Sequence, residues 1–312
     1  MSVKKYSLWI LSGLIFFSFP GCSDSDQIQI AIDDAIIPHA DAAKTQIPRR
    51  LILALGAMTT PKQAYGYYYE LAHYLEKKLD LSITVIDKES YSEVNRLLKE
   101  GKIDLAFVCG RPYIDGHEEF GLKLLVVPQI NGTVHYHSYI IVHKDSATRK
   151  LDELKGRRFA FSDPLSNSGC LIPTYLIVKI FGVPPEKFFQ ELVYSGSHDK
   201  SIAMVAAKLV DAAAVDSLIW DYLNQFDPQD TAKTKILATS KPYSTVPVVV
   251  RPNLNPQLEA KIRETFLAIH QDNAGREILK NMRIDRFVEV DDSMYNDLRE
   301  VKSYLAKNGS WR

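Results

Sequence analysis

The 312-residue chain lacks the features that mark a metal site, a nucleic-acid surface or a membrane channel. It has three cysteines and no Cys/His spacing of the kind that holds a metal ion. Charge of one sign is not in excess. The 38 basic residues balance 38 acidic ones, whereas a nucleic-acid surface would show clustered surplus positive charge. Past the first twenty residues no apolar run is long enough to span a bilayer. There is no Gly-x-Ser-x-Gly turn. The best enzymatic arrangement on offer is Cys170 near a helix start with His198 as its base. The chain therefore reads as a non-enzyme with no cofactor.

What is present begins with the leader. Lys4 and Lys5 precede an apolar core, Leu8 to Phe19, which is too short for a transmembrane span and suits a secretion signal. It ends in Phe19-Pro20-Gly21-Cys22, a small residue and then cysteine, which resembles the bacterial lipoprotein box. That resemblance implies a signal peptide over 1–22, lipid on Cys22, and a membrane-anchored protein in the periplasm or at the cell surface. Residues 23–48 start with Ser23-Asp24-Ser25-Asp26 and are interrupted by Pro38 and Pro48, as a tether would be. Within them Ile28 to Ile37 alternates weakly, which also fits a short strand.

The segment 49–312 exceeds what one hydrophobic core usually fills, so two lobes are expected. Short β-rich runs (Leu51 to Ala57, Ser82 to Ile86, Ile103 to Cys109, Leu124 to Val127) alternate with helical patterns at Tyr67 to Leu79 and Tyr91 to Lys99. Such alternation predicts an α/β lobe with a mainly parallel sheet. Tyr139 to Val142 closes this lobe. A second repeats the pattern from Arg158 to Phe161 onward, and Val246 to Val250 returns to the first, followed by helices at Pro256 to His270 and Ser293 to Lys307. The expected division is 49–143 with 245–312 for lobe one and 144–244 for lobe two, joined by two crossings near Val142 to Ser146 and Lys241 to Val246. Cys109 and Cys170 fall in opposite lobes. A disulfide is conceivable in an oxidising compartment but would staple the cleft shut, so free thiols are expected.

The run Ser162-Asp163-Pro164-Leu165-Ser166-Asn167-Ser168-Gly169, opening onto the apolar stretch Cys170 to Phe181, reads as a strand end, a polar turn and a helix start. Such a turn aims backbone N–H groups and short polar side chains at one point, where the helix dipole favours an anion. No lysine or arginine lies in it, so an anion would be held by neutral donors; the same residues also suit an ordinary helix cap. Open α/β lobes bind ligands beyond the carboxyl ends of their strands. The turns Glu89 to Ser92, Tyr136-His137-Ser138, Gly196-Ser197-His198 and Val215-Asp216-Ser217 would then share a cleft with it.

The strings YHSYIIVHKDS, FSDPLSNSGCLIP, GSHDKSIAMV and VDAAAVDS, with GKIDLAFV ahead of them, resemble the substrate-binding proteins of phosphate, phosphite and phosphonate ABC transporters over about residues 50 to 285. The resemblance implies a bilobed type II periplasmic-binding-protein fold. It also implies a monomer that delivers a small phosphorus oxyanion to an ABC permease. Carried over by position, Ser166, Asn167 and Ser168 would hold the ligand's oxygens, with Asn167 standing where the family more often has threonine. Tyr91 and Tyr136 would donate from the first lobe and His198 from the second. Where relatives that take aminoalkylphosphonates carry acids, this chain has Leu218 and Val246. Asp216 is then the carboxylate left near the site: it either accepts a proton from a P–OH, admitting phosphorus oxyanions and refusing sulfate, or caps the helix begun at Ser217. The same fold binding a sulfonate or other organic anion, or reporting to a membrane kinase, is the alternative.

Overall fold

The structure is a computed structural model that describes residues 50–56 and 62–309. The expected signal segment, Cys22, and the tether 23–48 lie outside the described residues. In chain order the first elements are β1 (Arg50–Leu55), α1 (Lys62–Leu79), β2 (Ser82–Asp87), α2 (Tyr91–Lys99), β3 (Leu105–Phe107), α3 (Gly110–Phe120) and β4 (Lys123–Gln129). A short strand β5 (His135–Tyr136) follows. The second lobe comprises β6 (Ser138–His143), β7 (Arg158–Phe161), α4 (Ile172–Phe181), α5 (Pro185–Phe188), β8 (Glu191–Tyr194), α6 (His198–Ala206), β9 (Ala212–Asp216), α7 (Ser217–Phe226) and β10 (Thr234–Thr239). The chain returns through β11 (Tyr243–Ser244) to β12 (Val248–Val250), α8 (Pro256–Ala268), α9 (Asn273–Met282), β13 (Arg286–Val288) and α10 (Asn296–Lys307).

Two sheets result, ordered β13-β4-β12-β3-β1-β2 and β10-β6-β9-β7-β8, and β5 pairs with β11 as a separate two-stranded ribbon. The bilobed α/β architecture agrees with the sequence, but the division falls elsewhere. The strand Tyr139 to Val142, expected in lobe one, pairs with β9 and β10, so the second lobe begins at Ser138 rather than 144. The crossings are the ribbon strands themselves, with Tyr243 opposite Tyr136 and Ser244 opposite His135. The first sheet is also less parallel than expected. β1 runs parallel to β2 and β3, but β12 is antiparallel to both β3 and β4, because it re-enters from the other lobe against the outgoing chain. Helices α3, α5 and α9 had no counterpart in the sequence reading. Pro112 lies in the first turn of α3, where a missing N–H is tolerated, but with Gly110 and Gly116 it obscures the helical pattern.

Strand periodicity explains the second sheet. Ile140, Val142, Phe159, Phe161, Ala212 and Ala214 pack on one face, while Ile141, Ala160, Ala213 and Val215 pack on the other. Strand β9 is buried along its whole length. Its three alanines leave room for helices on both sides, so its end, Asp216, sits deep between the lobes. Two close approaches also fix the fold. A Cβ on Gly275 would stand 1.9 Å from the Ile269 carbonyl oxygen, and one on Gly56 would stand 2.9 Å from the Tyr91 ring. Gly275→Ala is therefore expected to destabilise the protein by about 1–3 kcal/mol, read from denaturant midpoints, because backbone rather than a flexible side chain must yield.

Candidate ligand-binding site

Strand β7 ends at Phe161, and the following turn leads into one π-helical turn, Asn167–Leu171, that continues as α4. The wider turn is visible in its bonds: the Leu171 N–H reaches back five residues to the Ser166 carbonyl at 3.0 Å. Single π turns recur at functional sites because they rotate side chains out of the regular helical order. Ser166 caps it, its Oγ accepting the Gly169 N–H at 3.0 Å. Gly169 is required by space, since a Cβ there would lie 1.8 Å from Ser162 Oγ.

All seven residues singled out in the sequence are buried, and the fold brings them together. Asn167 Nδ2 donates to the Tyr136 hydroxyl at 3.0 Å, joining lobe two to the hinge ribbon. Ser168 Oγ sits against both Tyr136 and Asp216 without a well-formed bond to either. The Asp216 N–H donates to His198 Nδ1 at 3.1 Å. A backbone N–H can only donate, so Nδ1 is the bare nitrogen and Nε2 carries the proton, 3.4 Å from Ser166 Oγ. Burial lowers the His198 pKa to about 4, so the ring is a neutral donor at physiological pH. Tyr91 opens α2 with its ring against Gly56, and its hydroxyl has no partner.

Among the described residues, three buried polar atoms of these seven side chains thus have no hydrogen-bond partner: Tyr91 Oη, Asn167 Oδ1 and Ser168 Oγ. Leaving such groups unpaired costs about 1–3 kcal/mol each, so three within one cluster of residues make it the candidate place for a polar ligand. Asp216 is part of the same cluster. Its charge bears on Tyr68, Tyr91, Tyr136 and Cys109. Burial pushes its carboxyl up to about 7, against the stabilising N–H bonds from Leu218 and Ile219. Both readings of this residue have support: Asp216 Oδ1 does cap α7, accepting Leu218 N–H at 2.8 Å, and the group also faces the unpaired hydroxyl of Ser168.

The sequence missed several parts. Cys109, read only as a free thiol, accepts the Asn167 N–H at 3.2 Å and lies 3.4 Å from the Tyr136 hydroxyl. Ser138 donates to the Ser168 carbonyl at 2.6 Å, fixing the π turn to β6. Arg111 donates to the Pro164 carbonyl across the cleft and also pairs with Asp115, while the Tyr91 N–H bonds Asp163. None of these carries a local motif, because each is defined by a partner distant in the sequence. Both Cys109 and Cys170 are free and buried. Burial holds the Cys170 thiol up at about 11, away from the thiolate that a nucleophile requires.

These two shifted groups give opposite pH trends. His198, held below its unfolded value of 6.5, contributes stability that is lost as pH falls from there through about 4. Asp216, held above its unfolded value, favours the fold at low pH and loses that contribution as pH rises through about 7. Asn caps helices as well as Asp. Asp216→Asn should therefore be more stable relative to the parent at pH 8.5 than at pH 5, by a few kcal/mol in denaturant titrations without ligand.

With this geometry established, comparison with known proteins is direct. Residues 54–295 match the family described as ABC transporter, phosphonate, periplasmic substrate-binding protein. The phosphonates-binding periplasmic protein of Escherichia coli K12 is 23% identical over 240 residues, covering 75% of this chain and 70% of its own. A probable ABC transporter phosphite binding protein, PhnD1, of Prochlorococcus marinus MIT 9301 is 23% identical over 245 residues, covering 75% and 82%. The solved structure of PhnD1 from that organism with methylphosphonate superposes with a TM-score of 0.75 at 20% identity, covering 83% of this chain and 99% of that one. The family match spans most of the described chain, including both lobes and the cleft between them, so this protein belongs to the periplasmic substrate-binding proteins of phosphonate ABC transporters.

Proposed function

We propose that this protein captures a small, proton-bearing phosphorus oxyanion (phosphonate, phosphite or phosphate) between its lobes and delivers it to an ABC permease from a lipid anchor on Cys22. The observation that carries the reading is the pair of buried, unpartnered hydroxyls of Tyr91 and Ser168 near Asp216, together with the unpartnered Asn167 Oδ1, which can only accept and so suits a ligand P–OH. In this reading Tyr91, Ser168 and the Nε2–H of His198 donate to the ligand's oxygens. Ser166, Asn167 and Tyr136 hold those donors in place, and the helix opening at the π turn adds its dipole.

The site's charge selects among anions. Among the described residues the buried Lys or Arg side chain is Arg111, which is engaged with Asp115 and Pro164. An incoming oxyanion therefore meets neutral donors and one carboxyl that titrates near neutrality. The pair is favourable when one proton lies between Asp216 and a ligand oxygen, whichever of the two carries it. Phosphorus oxyacids bring such a proton at pH 7; sulfate and sulfonates must take it from Asp216, and once that carboxyl ionises above about pH 7 they face a bare carboxylate. A mismatch of this kind in a buried site discriminates by ~10⁴-fold or more.

Calorimetric titration of the purified protein at pH 8 is expected to give 1:1 binding of methylphosphonate, phosphite or phosphate and no heat with sulfate. Affinity should fall about tenfold per pH unit once both partners have lost the shared proton, at alkaline pH. Asp216→Asn, whose amide donates to a fully deprotonated anion, should flatten that dependence and admit sulfate. Failure of every phosphorus ligand to bind would refute the substrate class. For the anchor, cells fed a labelled fatty acid should label the native chain and not Cys22→Ser, with the variant recovered in the soluble fraction.

A further inference from the structure

A cavity of about 230 Å³ opens beside the Asp216 cluster. Its inner wall includes Leu218 and Ile219, the two residues whose N–H groups bond the Asp216 carboxyl. Tyr68, which feels the Asp216 charge, stands on the opposite lobe with its ring edge-on to Phe107 at 5.0 Å. Val246, just past the hinge ribbon, and Ile284 complete an apolar throat. Polar groups occur toward the outer end, where Asp221 and Arg283 are exposed. There the lobes touch twice: Tyr222 of α7 hydrogen-bonds Tyr67 of α1, and the Arg283 guanidinium lies 4.3 Å from the centre of the Phe226 ring. The cavity is therefore assembled by lobe closure, with a tyrosine pair and a cation–π contact at its rim.

We propose that this cavity receives the organic substituent of the ligand, and that the preferred ligand is an organophosphonate with an uncharged, apolar substituent of several carbons, alkyl or aryl. The inference rests on the phosphorus-oxyanion reading above and extends it. Volume supports it: a 150 Å³ apolar cavity is enough to bind benzene, so 230 Å³ holds a butyl or benzyl group. Chemistry supports it as well. Phe107 and Val246 are buried, and the throat next to the oxyanion cluster presents no acid to pair an ammonium group; the one acidic lining residue, Asp221, lies at the exposed end beside the Tyr139 hydroxyl, 3.4 Å away. A charged amine held close to the phosphorus would lose its hydration without compensation. An alkyl or aryl group would instead bury apolar surface against Tyr68, Phe107 and Leu218, and would help draw the two lobes together.

Calorimetry with methyl-, propyl-, butyl-, benzyl- and 2-aminoethylphosphonate tests this on the native protein. Affinity should rise about fourfold per added methylene up to butyl, and benzylphosphonate should bind at least tenfold more tightly than methylphosphonate. The aminoethyl compound should bind at least tenfold more weakly than the propyl one. In Leu218→Trp, which fills the throat, the benzyl-to-methyl ratio should fall to one or below. Methylphosphonate binding with a flat or falling alkyl series overturns this inference and leaves the oxyanion reading standing. Tighter binding of the aminoethyl compound, abolished in Asp221→Asn, also overturns it. If no phosphonate binds, this inference falls, and the oxyanion reading falls with it only if phosphite and phosphate also fail to bind.

Discussion

The structure depends on a constraint of burial: polar atoms closed between two lobes must find partners, and some of those here have none among the described residues. Tyr91 Oη, Asn167 Oδ1 and Ser168 Oγ are shut away from water, and a carboxyl among them has been pushed toward neutrality. A hydrophobic core would not tolerate this, because unpaired groups cost more than most single packing contacts contribute. The two lobes on either side are packed conventionally, with alternating apolar faces on the second sheet and an all-alanine-and-valine stretch before Asp216. Three of these atoms gather in one place, where both lobes and the hinge ribbon contribute, while Thr231 Oγ1, His270 Nδ1 and Asp297 Oδ1 are single buried atoms without a partner elsewhere among the described residues.

Each contributor is held by something outside the site. Gly56 leaves room for the Tyr91 ring, and Gly169 lets the π turn settle onto Ser162. Ser138 ties that turn to β6, and the Asp216 N–H fixes the His198 tautomer. The donors are thus preorganised before any ligand arrives, which lowers the entropy lost on binding. Closure is reinforced at a distance by Arg111 on Pro164 and by Arg283 over Phe226.

Much of this was legible in the sequence. The Ser-Asn-Ser-Gly turn, the Gly-Ser-His turn and the Val-Asp-Ser turn are local, each written in consecutive residues, so the periodic pattern and turn chemistry located them. The two-lobe architecture followed from strand and helix alternation. What was not legible depends on pairing across the chain. Tyr139 to Val142 has the same alternation whichever sheet it joins, and only its register against β9 assigns it to the second lobe. Cys109 looks like any apolar strand end until Asn167, 58 positions away, places an N–H on its sulfur. The role of Leu218 in a cavity wall likewise appears only when Tyr68 and Phe107 stand opposite it.

The most direct test is a crystal structure with a bound phosphonate. The account predicts phosphonyl oxygens within about 2.6–3.0 Å of Tyr91 Oη, Ser168 Oγ and His198 Nε2, with one oxygen sharing a proton with Asp216. A phosphonyl group seated elsewhere, with those atoms still unpaired, would contradict it.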